Sequence, residues 1–139
     1  MEMVRTMIEI RHFVPKEFVC KCCGRGHVDA SLVLMLDVLR TYFGQPIRIN
    51  SGFRCEPHNQ EVGGAPGSRH LLGLAADIST PTGKYVDLLS SASRLFRRDG
   101  WDFIAYPKKG FIHVAIPRGY ALRPWNGDQV TVKNLCDSE

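Results

Sequence analysis

The stretch from Ile49 to Ile78, INSGFRCEPHNQEVGGAPGSRHLLGLAADI, decides how the rest of the 139-residue chain is read. It holds Ser51-Gly52-Phe53-Arg54, a Gly63-Gly64 turn, and the pair His70 and Asp77. Ligands of a zinc ion each lie ~2 Å from it, so side chains that share an ion must converge. His70 and Asp77 stand seven positions apart. That spacing is ~10 Å along a straight helix and ~23 Å along an extended strand. If the two residues share an ion, the chain must bend between them, and Gly73 is placed to permit the bend. Beyond it, Leu74 to Ile78 reads as a buried strand, with Leu74, Ala76 and Ile78 on one face and Ala75 and Asp77 on the other. The small Ala75 leaves room beside Asp77.

A second alternating segment supplies a third ligand. In Phe111 to Ile116, the residues Ile112, Val114 and Ile116 form an apolar face, which aims His113 away from the core. Two imidazoles and a carboxylate leave the fourth position of a tetrahedral zinc open to water, the pattern of a catalytic rather than a structural ion. The competing reading is that His and Asp residues on sheets serve as hydrogen-bonded surface or core groups, and spacing alone does not separate the two.

The remaining elements follow from periodicity and punctuation. His12 to Phe18 reads as a short leading element with Pro15 in its first turn. Asp29 or Ser31 can cap a helix whose apolar residues Leu32, Leu36, Leu39 and Phe43 recur at helical spacing, with Met35 between them, and which ends at Gly44 before Pro46. Pro46 to Asn50 reads as a strand, and Glu56 to Val62 as a short helix stopped by Gly63-Gly64. Tyr85, Leu88, Leu89, Ala92 and Phe96 mark a second amphipathic helix, with Arg94, Arg97 and Arg98 suited to its C-terminal dipole. Trp101 to Tyr106 and Phe111 to Ile116 form a hairpin across Pro107-Lys108-Lys109-Gly110. In the tail, Gln129 to Val132 alternates as an edge strand would. The expected class is α+β, two principal helices on a small, mainly antiparallel sheet.

The totals bound the function without naming it. A chain of this length is most economically one domain, here with a core at about 13–117 and a C-terminal extension at 118–139. With 44% hydrophobic and 23% charged residues it has an ordinary globular composition. A net charge of +4 fits an anionic partner without requiring one, and a solvated basic surface accounts for it equally. The start, MEMVRTMIEIRHF, shows no apolar segment with a cleavage site, so synthesis in the cytoplasm without an export signal is expected. Five cysteines, three of them in Cys20-Lys21-Cys22-Cys23, do not resemble a secreted disulfide framework. Cys20, Cys22 and Cys23 with His27 suit a second, structural zinc; reduced, partly buried thiols are the simpler reading, and Cys55 has no assigned place.

Ser51-Gly52-Phe53-Arg54, Asn59, Val62-Gly63-Gly64-Ala65, Ser68-Arg69-His70-Leu71-Leu72-Gly73-Leu74-Ala75-Ala76-Asp77-Ile78, Tyr106-Pro107 and Gly110-Phe111-Ile112-His113-Val114 together resemble the zinc D-Ala-D-Ala carboxypeptidases of peptidase family M15. The resemblance runs roughly from Phe13 to Ile116. It implies a hedgehog/DD-peptidase fold, one catalytic Zn2+, and cleavage of peptide bonds involving D-amino acids in peptidoglycan stems or cross-links. It also implies His70, Asp77 and His113 as the metal ligands, Arg54 as a catalytic residue facing the substrate, and Ser68 as a substrate contact. A structural ion pair for Arg54 and a loop hydrogen bond for Ser68 stand beside those roles. The better-known members resemble one another in an acidic residue three positions before the last ligand and a histidine two before it. Gly110 and Phe111 stand there instead, so another carboxylate must serve as base or hydrolysis is weak; Asp102 is the candidate on the neighbouring strand.

Two function classes follow. One is a zinc peptidase acting on peptidoglycan peptides, reaching the wall by lysis or as a phage or prophage component, as a monomer with no nucleic-acid or membrane partner. The other is a non-catalytic zinc-binding module of the same fold, as in the hedgehog signalling domain, which resembles it. A nucleic-acid-binding domain is disfavoured, because the basic residues do not interleave with stacking aromatics.

Overall fold

The computed structural model describes residues 5–97, 100–117 and 122–133. In order, these form strand β1 (Arg5–Ile8), a 3-10 turn at Pro15–Phe18, helix α1 (Ala30–Phe43), β2 (Arg48–Ser51), α2 (Glu56–Glu61), a second 3-10 turn at Arg69–Leu72, β3 (Ala75–Ser79), α3 (Tyr85–Phe96), β4 (Asp102–Tyr106), β5 (Phe111–Ala115) and β6 (Val130–Lys133). The result is α+β. Strands β2, β3, β5 and β4 lie in that order in one antiparallel sheet, and β1 pairs with β6 in a separate antiparallel ribbon.

Helix α1 begins where a buried carboxylate can close it. Of the two candidate caps it is Asp29 that does so, one oxygen accepting the Ser31 N–H at 2.8 Å and the other the Arg123 N–H at 2.7 Å. The same cap therefore fastens the tail segment. At the other end Gly44 takes a left-handed φ of 77° and donates its N–H to the Arg40 carbonyl. Between them Leu32, Val33, Leu36 and Leu39 are fully buried, each contributing ~1.5–3 kcal/mol of apolar burial. Helix α3 packs against α1 through its own buried stripe of Leu88, Ala92 and Phe96. Arg94 and Arg97 fall at its C-terminal end as the dipole favours, and Arg98 lies outside the described residues.

The sheet carries two different faces. Ala76, Ile78, Ile112 and Val114 join α1 and α3 in the hydrophobic core. On the reverse face, register sets Asp77 opposite His113, Ile104 opposite His113 from the other side, and Asp102 opposite Ala115. Every residue of β3 is buried. The expected alternation holds, but the Asp77 face is covered as well, because the Arg69–Leu72 turn packs over β3.

The alternating tail forms β6, with Val130 in the core. It does not extend the main sheet; it pairs with β1, Ile8 opposite Val130. Strand β1 has no local turn signal, and its partner lies at the other end of the chain. The link between β1 and the core passes Asp37, whose carboxylate accepts the backbone N–H groups of Arg11 and His12 at 3.2 and 2.9 Å. Residues 118–121 and 134–139 of the proposed extension lie outside the described residues. Among the described residues, no helix is long and apolar enough to cross a membrane.

Replacing Asp29 by Ala removes a helix cap and orphans the Arg123 N–H, so the variant is expected to lose ~2 kcal/mol of stability in urea unfolding. A loss of about 0.5 kcal/mol or less, the size of a surface change, would contradict this role.

Candidate metal centre

His70 reaches the centre from a turn built for it. Ser68 starts the turn, its hydroxyl accepting the His70 N–H at 3.1 Å, and Gly73 ends it at φ 77°. Gly73 is the bend expected between the two ligands, and it has no substitute: a Cβ there would also lie 2.6 Å from the His27 carbonyl. The Arg54 N–H donates to the His70 carbonyl at 3.0 Å, which ties the turn to the loop after β2.

The imidazole of His70 is buried, and its Nδ1 lies 2.7 Å from the Gly52 carbonyl. A carbonyl only accepts, so Nδ1 donates to it, and Nε2 faces Asp77 Oδ1, 3.2 Å away. His113 approaches the same oxygen with Nδ1 at 3.0 Å. The other oxygen of Asp77 accepts from Arg54 Nη2 at 3.0 Å. The ligand atoms of His70, Asp77 and His113 all lie within 4.8 Å of one another. That set of donors, with one imidazole's remaining N–H fixed on a backbone carbonyl, fits a zinc ion.

Electrostatics agree with the geometry. Burial alone would raise the Asp77 pKa, but hydrogen bonds from His113 and His70 and their charges outweigh it and hold the carboxyl well below the usual range. Asp77 is therefore an anion ready for a cation.

Arg54 is fully engaged, with Nε donating to Ser51 Oγ at 3.0 Å, Nη1 to Asn59 Oδ1 at 3.1 Å and Nη2 to Asp77. Asn59 is held in turn by the Ala65 carbonyl at 2.8 Å. The structure thus places Arg54 beside the centre, as expected, but chiefly as the clamp on Asp77. Ser68 makes the loop hydrogen bond and also lines the groove.

The centre opens onto a groove of about 610 Å3. Gly110 closes the β4–β5 hairpin, its N–H donating to the Tyr106 carbonyl at 2.9 Å, and Phe111 stacks on Tyr106 with centroids 4.7 Å apart. Neither residue brings a proton-transfer group. Asp102 does line the groove, half exposed, and pairs with Arg69. Arg69 was not singled out from the sequence; its Nη2 is buried without a hydrogen-bond partner among the described residues. Its one sequence signal is its place beside His70.

The structure does not assemble the alternative set of Cys20, Cys22, Cys23 and His27. His27 spends Nε2 on the Leu72 carbonyl at 3.1 Å and lies against Phe53, and Cys23 is exposed. Cys55 joins Cys20 and Cys22 instead.

The family profile described as Peptidase M15 matches residues 11–115. The chain belongs to the M15 peptidases. A zinc D-Ala-D-Ala carboxypeptidase from Streptomyces albus G is 40% identical to this M15 chain over 58 residues, which are 41% of the chain and 23% of that relative. The chain thus matches less than a quarter of the relative's length.

In metal-free protein, Asp77→Asn leaves the buried Arg54 without its counter-charge and is expected to cost ~3 kcal/mol in urea unfolding. Because the folded pKa of Asp77 is depressed, its contribution is complete above the unfolded carboxyl value and is lost as pH falls toward the folded one. The gap between wild type and variant should therefore hold from neutrality down to about pH 4 and narrow below it. A gap that widens on acidification would contradict the assignment.

Proposed function

We propose that the chain is a zinc-dependent metallopeptidase that hydrolyses peptide bonds of D-amino-acid-containing peptidoglycan stem peptides or cross-links, on a hedgehog/DD-peptidase-like fold. The carrying observation is the convergence of His70 Nε2, Asp77 Oδ1 and His113 Nδ1 on one point beside a groove in a chain of a peptidase family. The likeness to a protein named for zinc and for D-Ala-D-Ala supports both the metal and the substrate class.

His70, Asp77 and His113 would hold one zinc ion, which when bound supplies Lewis-acid polarisation of the scissile carbonyl and lowers the pKa of water. The protein's own residues do the rest. Arg54 holds Asp77 Oδ2, so that Oδ1 is the oxygen turned to the imidazoles. Ser68 sets the turn that presents His70. Arg69 lines the groove and pairs with Asp102, so its guanidinium fixes where that carboxylate stands. Asp102 stands on the site face of the sheet, two positions from the residue opposite His113. Apart from Asp77 it is the carboxylate lining the groove among the described residues. On this reading it moves the proton from the attacking water to the leaving amine, with Arg69 holding it at the groove wall. The chain would act as a monomer and would reach the wall by lysis or as a phage or prophage component.

Purified muropeptides incubated with zinc-loaded protein and analysed by mass spectrometry test the reading. Product is expected from wild type and none from His113→Ala. Asp102→Asn should keep its zinc and lose at least about 100-fold in kcat. Full zinc occupancy with no product from any stem peptide or cross-link would instead support a non-catalytic zinc module. A loss under about tenfold in Asp102→Asn would remove the proton-transfer role.

A further inference from the structure

Cys20, Cys22 and Cys55 converge away from the His70 centre, with their Sγ atoms all within 4.8 Å of one another. Cys20 and Cys55 are 3.7 Å apart, although 35 positions separate them in the chain. We propose that these three thiols hold a second zinc ion, a structural one, distinct from the ion of the groove.

The separations favour a metal over a covalent bond. Zinc–sulfur distances of ~2.3 Å in a tetrahedron put neighbouring sulfurs ~3.8 Å apart, and Cys20 and Cys55 stand at that spacing. A disulfide needs ~2.0 Å. All four cysteines among the described residues are free thiols.

The surrounding backbone is shaped to receive charged sulfur. Cys20 opens a tight loop in which its carbonyl accepts the Gly24 N–H and its own N–H donates to the Arg25 carbonyl, both at 2.8 Å. Backbone N–H groups of Cys55, Cys23 and Cys22 are directed at Cys20 Sγ, and that of His58 at Cys55 Sγ. Donors aimed at sulfur in this way are the outer support that thiolate–metal centres use. Burial would raise the Cys20 pKa, but those N–H groups outweigh it and bring the thiol from 9.0 to about 6. At Cys55 the His58 N–H lowers the pKa, but burial and the sulfurs of Cys20 and Cys22 outweigh it and push the thiol up to about 11. Without a cation the cluster resists holding a second thiolate beside the first; a divalent ion removes that repulsion as the thiol protons leave to solvent.

The location gives the ion a structural task. It would join the loop after the Pro15–Phe18 turn to Cys55, the residue that follows Arg54 and precedes α2. This joint is already close: the Phe53 N–H donates to the Phe18 carbonyl at 2.8 Å, and a Cβ on Gly52 would lie 2.6 Å from that same carbonyl. Gly52 orients His70 and Arg54 holds Asp77, so the thiol site braces the segment that positions the groove's ligands. Three thiolates are the protein donors the proposal requires.

Metal-free, reduced full-length protein titrated with Co2+, and with Zn2+ followed by mass-spectrometric metal analysis, tests the site directly. Wild type is expected to bind about two equivalents and, with cobalt, to show thiolate-to-metal charge-transfer absorption in the near ultraviolet. A His70→Ala/His113→Ala variant should keep that absorption with about one equivalent bound. Cys22→Ser/Cys55→Ser should lose it. Absence of the band from wild type overturns the proposal whatever the variants do, as does loss of the band in the histidine variant or its survival in the serine variant.

Discussion

The carboxylate of Asp77 is the constraint on which the site depends. It is buried and charged, and burying a charge is costly unless it is paired and hydrogen-bonded. Both oxygens are satisfied, Oδ2 by Arg54 and Oδ1 by His70 and His113. Each partner comes from a different part of the chain, so the carboxylate requires several elements to be correct at once. Strand β5 must pair with β3 in the register that sets His113 opposite Asp77. The Arg69–Leu72 turn must fold back at Gly73, and the loop after β2 must bring Arg54 alongside. Helices α1 and α3 cover the other face of the same strands and hold that register through apolar packing.

On the proposed reading, this arrangement separates holding a metal from moving protons. Of the proposed ligands, His70 is braced by the Gly52 carbonyl and Ser68, and Asp77 by Arg54, which Asn59 holds in turn. Asp102, the carboxylate proposed to transfer the proton, sits at the groove wall paired with Arg69. Gly110 and Phe111 at the hairpin bring no proton-transfer group, and Asp102 on β4 lines the same groove as His113. On the proposed reading, a carboxylate reaching the groove from the neighbouring strand meets the chemical need for a base and an acid.

Much of this was legible locally. The helical stripe ending at Gly44, the alternation around His113 and the bend at Gly73 are written in short-range pattern, and they place two ligands without tertiary knowledge. What was not legible has a common physical origin in long-range pairing. A backbone carbonyl, Gly52, fixes the tautomer of His70, and backbone atoms leave no residue-type signature. Strand β1 becomes a strand because β6 returns to it. Cys55 meets Cys20 and Cys22 because the loop after β2 packs on the Pro15–Phe18 turn, whereas cysteine spacing alone had grouped Cys20, Cys22 and Cys23 with His27. Arg54 lies beside the proposed ligands, and its engagement with Ser51, Asn59 and Asp77 depends on other segments being in position.

The central claim is that one zinc ion sits between His70, Asp77 and His113, and crystallography reads it most directly. Diffraction data collected on both sides of the zinc absorption edge from zinc-loaded crystals should show anomalous density ~2.0–2.2 Å from His70 Nε2, Asp77 Oδ1 and His113 Nδ1. Absence of anomalous density among those three atoms in fully loaded crystals would contradict it.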